Sequence, residues 1–188
     1  MTRIAIALHD DFADWEPALL MAAARGYLGV DIVTASPDGK PVTSMGGLKV
    51  TPDMAYDALD PAACDALVIP GGLAWDKGVA PDFSPLIQAF RDKDKLVAGI
   101  CAASSAVAAS GILNDRAHTG NSLASHQRQM AYDGAAHYRD QPQAVSDRGV
   151  VTASGNAPHS FAVEVLKALD LWGPEAEEEL SAFSAEHR

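Results

Sequence analysis

Two cysteines in 188 residues, Cys64 and Cys101, allow at most one disulfide. That excludes the cysteine-stapled scaffolds of small secreted domains and makes a reducing cytoplasm the expected location. Basic residues are scarce as well: 14 Lys and Arg stand against 25 Asp and Glu, for a formal charge of −11. A nucleic-acid binder needs a basic stripe to displace counterions, and an anionic membrane surface makes a similar demand. The most basic cluster, Arg91 to Lys95, is interrupted by Asp92 and Asp94 and reads as a solvated helix end. Neither nucleic acid nor membrane is an expected partner. Long apolar runs are missing too. The opening stretch has five apolar residues before His9 and two aspartates, which is no secretory core, and Ala102 to Ala109 falls far short of a membrane span of ~20 residues.

What is present is alternation. Arg3 to Leu8, Val30 to Ala35, Ala66 to Pro70 and Leu96 to Ile100 are compact runs, apolar on both faces, as in a covered parallel sheet. Helix-length segments lie between them, Trp15 to Arg25 and Phe83 to Lys93, so repeated βα units are expected. Ala102 to Ala109 predicts a small-residue helix with Gly111 past its end, and Ala117 to Thr119 a further strand. A helix is expected from Asn121 or Ser122 toward Met130. Ala144 to Ser146 and Gly149 to Ala153, joined by Asp147-Arg148, predict a hairpin or two successive short strands, and Ala157 to Leu171 a helix. Gly46-Gly47 predicts a second, appended hairpin across Pro41 to Val50. With no repeat or linker, residues 1–188 form one expected domain, with a core over 3–171 and an acidic terminal helix over 174–185.

Three places could carry chemistry. In LVAGICAASSAVAASGIL a buried strand runs through Gly99 and Ile100 into Cys101 and a helix of small residues, the layout of a nucleophile elbow. A thiolate there would face the positive end of the helix, which favours ionisation; a buried cysteine used as a small hydrophobe is the competing reading. Val68 to Gly72 is a strand ending in Pro-Gly-Gly, whose exposed Gly72 N–H could pair with that of Ala102 as an oxyanion hole; an ordinary turn would look the same. Phe12 to Glu16 follows the first strand. Glu16 could reach the crevice at the strand ends, where desolvation would raise its pKa and let it hydrogen-bond the sulfur, or it could merely complement a helix dipole. Asp14 is the expected N-cap of that helix. Trp15 and Trp75 flank the two site loops and could wall a pocket beside Gly71, or serve as contacts between subunits.

The order strand–FADWE, strand–IPGG, strand–GICAAS resembles the DJ-1/PfpI (ThiJ/PfpI) family of the class I glutamine amidotransferase-like superfamily, from Arg3 to about Leu171. The resemblance implies a flavodoxin-like three-layer α/β/α sandwich with a mostly parallel sheet and a nucleophile elbow. It also implies a homodimer with Cys101 as reactive cysteine, Glu16 as its carboxyl partner, and the Gly72 and Ala102 N–H groups as the oxyanion pair. The FADWE helix and the Gly46-Gly47 hairpin are where such a dimer would form.

The departures bear on activity. Peptidase-like members carry His directly after the nucleophile, where this chain has Ala102. Other members end the next strand in Thr-Thr-His, where this chain has His118-Thr119-Gly120; alternation puts His118 on the same face as Gly120 and makes it a candidate base, while a solvent-facing or packing histidine is the competing reading. His159 lacks the acid two residues on that a standard glutaminase triad needs, and a first-turn surface position suits it. His9, His126, His137 and His187 show no metal-ligand spacing, so neither a metal nor a cofactor is expected. The expected function is a cysteine-dependent hydrolase, hydratase or lyase acting on a small amide or reactive carbonyl. The alternatives are a non-enzymatic oxidative-stress sensor built on Cys101, with Cys64 staying reduced, and a scaffold that has lost its chemistry.

Overall fold

The computed structural model describes residues 1–184, so residue 185 of the expected terminal helix and His187 lie outside the described residues. The strands are β1 (Arg3–Ala7), β2 (Asp31–Ser36), β3 (Val42–Thr43), β4 (Lys49–Val50), β5 (Met54–Ala55), β6 (Ala66–Ile69), β7 (Leu96–Ile100), β8 (Val145–Asp147) and β9 (Val150–Ala153). The helices are α1 (Trp15–Gly26), α2 (Ser84–Arg91), α3 (Ala103–Ala109), α4 (Leu123–Gln127), α5 (Pro158–Ala168) and α6 (Pro174–Ser184).

Seven strands form one sheet in the order β5-β2-β1-β6-β7-β9-β8. All its pairings are parallel except β8 with β9, the hairpin expected around Asp147-Arg148. Strand alternation divides the core into two layers. Ile4, Ile6, Val68, Ile100 and Val151 pack under α1 and α5, against Leu20, Phe161 and Leu166. Ala5, Ala7, Leu67, Ile69 and Val97 face α2 and α3, against Ile87, Phe90 and Val107. Each buried Val, Leu, Ile or Phe side chain among these contributes roughly 1.5–3 kcal/mol relative to exposure. The fold is therefore the doubly covered α/β sandwich that the apolar runs and the family resemblance imply. No helix among the described residues is long and apolar enough to cross a membrane.

Two local expectations are corrected. Ala117 to Thr119 is no strand but a single parallel bridge, His118 to Tyr138. The neighbouring N–H donors are taken by side chains: Ala117 N donates to Asp147 Oδ2 at 2.7 Å, and Thr119 N to Thr152 Oγ1 at 2.9 Å. Asp14 precedes α1 without capping it. Its carboxylate instead accepts from Ser44 Oγ and, at 2.8 Å, from Gly46 N, fastening the β3–β4 hairpin to the loop after β1. The two-residue edge strand β5 carries no pattern long enough to read.

The sheet order turns at β1 and β6, so the carboxyl ends of β1, β6 and β7 open side by side. This is where an open α/β sheet offers its crevice. Gly99 permits the close approach of α3 onto β7, since a Cβ there would lie 2.7 Å from Val107 Cγ2 and 3.1 Å from Ala103 O. Gly99→Ala is expected to cost about 1–3 kcal/mol through overpacking, read as a lower denaturation midpoint; an unchanged midpoint would show that α3 is free to shift.

Candidate active site

Cys101 follows β7 with φ +61°, a left-handed conformation that side-chain-bearing residues adopt sparingly. Its N–H still continues the ladder, donating to Ala153 O at 2.9 Å, so the turn is abrupt and the chain enters α3 at once. Two glycines make room around it. A Cβ on Gly71 would sit 2.7 Å from Ala102 N and 2.8 Å from Cys101 Cβ, and one on Gly155 would sit 2.8 Å from Cys101 Sγ. Only a bare Cα fits at either place.

Glu16 reaches the same point from the first turn of α1 and has no exposed surface. Its Oε2 accepts the Gly71 N–H at 2.5 Å. Oε1 is buried without a hydrogen-bond partner, and it shares with the Cys101 sulfur the space beside the bare Cα of Gly155. The loop that carries Glu16 is joined to the Pro-Gly-Gly turn by an antiparallel bridge between Phe12 and Gly72. Ala13 N donates to Gly71 O and Leu73 N to Asp11 O, both at 3.0 Å. Gly72, at φ +142°, is pressed against Asp11 O and Phe12 Cα, and its own N–H stays outside the bridge.

The sulfur has further donors. Asn121 Nδ2 donates to Sγ at 3.3 Å, and the neighbouring Ala102 N–H draws the thiol pKa down. Asn121 is held in that orientation because its Oδ1 accepts the Gly155 N–H at 3.0 Å. Ser122, by accepting from Ser125 N, caps α4 and leaves Asn121 free for the sulfur.

Burial pushes the Glu16 carboxyl up to about 7, against the pull of the adjacent Cys101 thiol and of the Gly71 N–H. The Cys101 thiol moves up to about 11, through burial first and the Glu16 charge second, with Asn121 and Ala102 opposing. This reverses the expectation that the helix end would favour the thiolate. A seven-residue helix is outweighed by desolvation and a neighbouring carboxylate. Between those two values the pair holds a single proton.

The other expected residues divide. Trp15 is beside the site, its Nε1 donating to Gly155 O at 3.1 Å. Trp75 is not: it stacks on Phe83 and meets His9 edge-on at 5.1 Å. His118 is fully buried, with Nδ1 2.7 Å from Arg116 O and Nε2 2.8 Å from Tyr132 Oη, so neither ring nitrogen is left for the thiol. Its alternation argument fails because the segment is not a strand. The volume beside Gly120 is filled from elsewhere: a Cβ there would meet Ser104 Oγ and lie 2.6 Å from Nε2 of His126. His159 Nε2 bonds Leu180 O at 2.9 Å, which ties α5 to α6. Among the described residues no group of three or more His, Cys, Asp or Glu is placed to hold a metal.

The DJ-1/PfpI family model matches residues 2–168. The chain belongs to the DJ-1/PfpI family. It is similar to the DJ-1 superfamily protein Atu0886 from Agrobacterium tumefaciens, with 72% identity over 100% of both chains and a TM-score of 0.99. It is also 34% identical to the uncharacterized protease YoaZ of Bacillus subtilis, over 92% of this chain and 86% of that one. The glutathione-independent glyoxalase DJR-1.2 of Caenorhabditis elegans is 24% identical over 78% of this chain and 76% of that protein. Asn121 and Gly155 lie outside the motifs that carried the resemblance.

Because burial holds Glu16 above its ordinary value of 4.5, its contribution to stability is full below that pH and is lost as the pH rises through about 7. Glu16→Gln is therefore expected to gain on wild type by roughly 2–3 kcal/mol between pH 4 and pH 9, in chemical denaturation followed across that range. Parallel pH–stability curves would mean that Glu16 keeps an ordinary carboxylate pKa.

Proposed function

We propose that the protein is a cysteine-dependent hydrolase, hydratase or lyase of small molecules, acting on an amide or reactive carbonyl carbon. The observation that carries this reading is the buried Glu16 carboxyl facing the Cys101 sulfur, with a pKa near 7. A base is most effective when its pKa lies near the working pH. Glu16, ionised, accepts the thiol proton as the sulfur forms its bond to the substrate carbon, and the carbonyl π electrons move to oxygen. The Gly72 and Ala102 N–H groups are the proposed donors to that oxyanion. On an amide, Glu16 then gives the proton to the departing nitrogen as the C–N bond breaks, and water hydrolyses the thioester to free the sulfur. On a 2-oxoaldehyde it protonates the oxyanion to a hemithioacetal, a proton moves through an enediol from the former aldehyde carbon to the neighbouring carbonyl carbon, and water hydrolyses the resulting thioester. Asn121 donates to the sulfur throughout, and Trp15 forms one wall. Relatives named as a protease and a glyoxalase are consistent with attack on carbonyl carbon.

Turnover of 2-oxoaldehydes and simple amides should rise with pH through about 7, disappear in Cys101→Ala and fall by about 10²–10⁴ in Glu16→Gln. Absence of turnover, together with peroxide adding two oxygens to Cys101, would replace this reading by the sensor. That alternative is favoured by the donors already around the sulfur, which suit a sulfinate. Cys64, buried and with its thiol pushed up by desolvation, should stay reduced. Both cysteines are free, in keeping with a reducing cytoplasm.

A homodimer is part of the same proposal. A groove of about 650 Å³ runs along α1 beside the hairpin, lined by Phe12, Pro17, Met21, Leu48 and Val50. Leu48 at its edge is 60% exposed, a large apolar side chain that a second copy would cover. Leu48→Glu with Met21→Glu should convert a dimer to a monomer in sedimentation equilibrium; a wild-type monomer would discard the interface.

A further inference from the structure

Behind the elbow, Ser104 and His126 are both fully buried. Ser104 Oγ donates to Cys101 O at 2.7 Å, reinforcing the 3.1 Å bond from Ser104 N to the same oxygen. The hydroxyl has one hydrogen, and Cys101 O takes it. The 3.0 Å contact between Ser104 Oγ and His126 Nε2 is therefore donated by the imidazole, which places its hydrogen on Nε2. Nδ1 is left bare, buried and without a hydrogen-bond partner, as this tautomer requires when no donor faces it.

The carbonyl held in this way belongs to the same peptide unit as the Ala102 N–H. That unit is planar and trans, so its C=O and N–H point in opposite directions. Fixing the oxygen on the α3 side fixes the hydrogen toward the sulfur and the crevice. A rotation of this peptide, which changes ψ of Cys101 and φ of Ala102, would turn the N–H away from the crevice. We propose that Ser104 and His126 are positioning residues that lock the Cys101–Ala102 peptide, so that its N–H serves the sulfur and the oxyanion. The residue between them agrees: Gly120 leaves space that both side chains occupy, and any Cβ there would separate them.

The inference rests on the reading of Cys101 as nucleophile, so two readouts are needed. Alkylation of Cys101 by iodoacetamide at pH 8 should slow by about tenfold in Ser104→Ala and His126→Phe. His126→Gln, which keeps a donor near the Nε2 position, should restore the rate. Exchange of the Ala102 amide, followed by NMR, should quicken in the first two variants and recover in the third, whether or not the thiol reacts. Wild-type exchange at Ala102 in folded Ser104→Ala and His126→Phe would overturn the proposal. An unreactive Cys101 with altered exchange would leave the peptide lock standing and remove the nucleophile reading instead.

Discussion

Placing a carboxyl group with no exposed surface against a thiol is the constraint on which the rest of the site depends. A charged carboxylate is costly to bury, and Glu16 has only the Gly71 N–H and the Cys101 thiol to compensate it. That compensation works only if the loop after β1, the turn after β6 and the elbow after β7 are held at fixed separations. The Phe12–Gly72 bridge ties the first two together, and the missing side chains at Gly71 and Gly155 let the third approach. Crowding at the elbow and the raised pKa of Glu16 are thus one fact seen twice: packing that excludes side chains also excludes the water that would solvate the charge.

The sheet was readable in the sequence because its strands are covered on both faces. Such strands are apolar without interruption, as in Ala66 to Ile69 and Leu96 to Ile100, and differ plainly from the helices between them. The three landmarks of the site could be read for a related reason. Each sits where an apolar run stops, and in a parallel sheet the ends of neighbouring runs are neighbours in space. Residues that act across the crevice gave no such signal. Asn121 lies 20 positions from Cys101, and its role depends on Gly155 N–H and on Ser122 taking the capping position instead. His118 misleads for the converse reason: a strand-like string of residues whose ladder bonds are replaced by the side chains of Asp147 and Thr152 loses the alternation on which the inference relied.

The first turn of α1 shows how little sequence separates two opposite electrostatic outcomes. Asp14 and Glu16 are two residues apart and chemically alike. Asp14 is only partly buried, and although burial alone would raise its pKa, the Ser44 hydroxyl and the Gly46 N–H more than offset that, so it stays ionised and clamps the hairpin. Glu16 faces inward, meets one N–H and a thiol, and is driven the other way. The charged member fixes the loop so that the other can be buried at the sulfur. An exchange of these environments would release the hairpin and leave the thiol beside a permanent anion, whose repulsion disfavours a thiolate. The chemistry open to Cys101 is therefore set as much by where the hairpin holds the loop as by the residues that touch the sulfur.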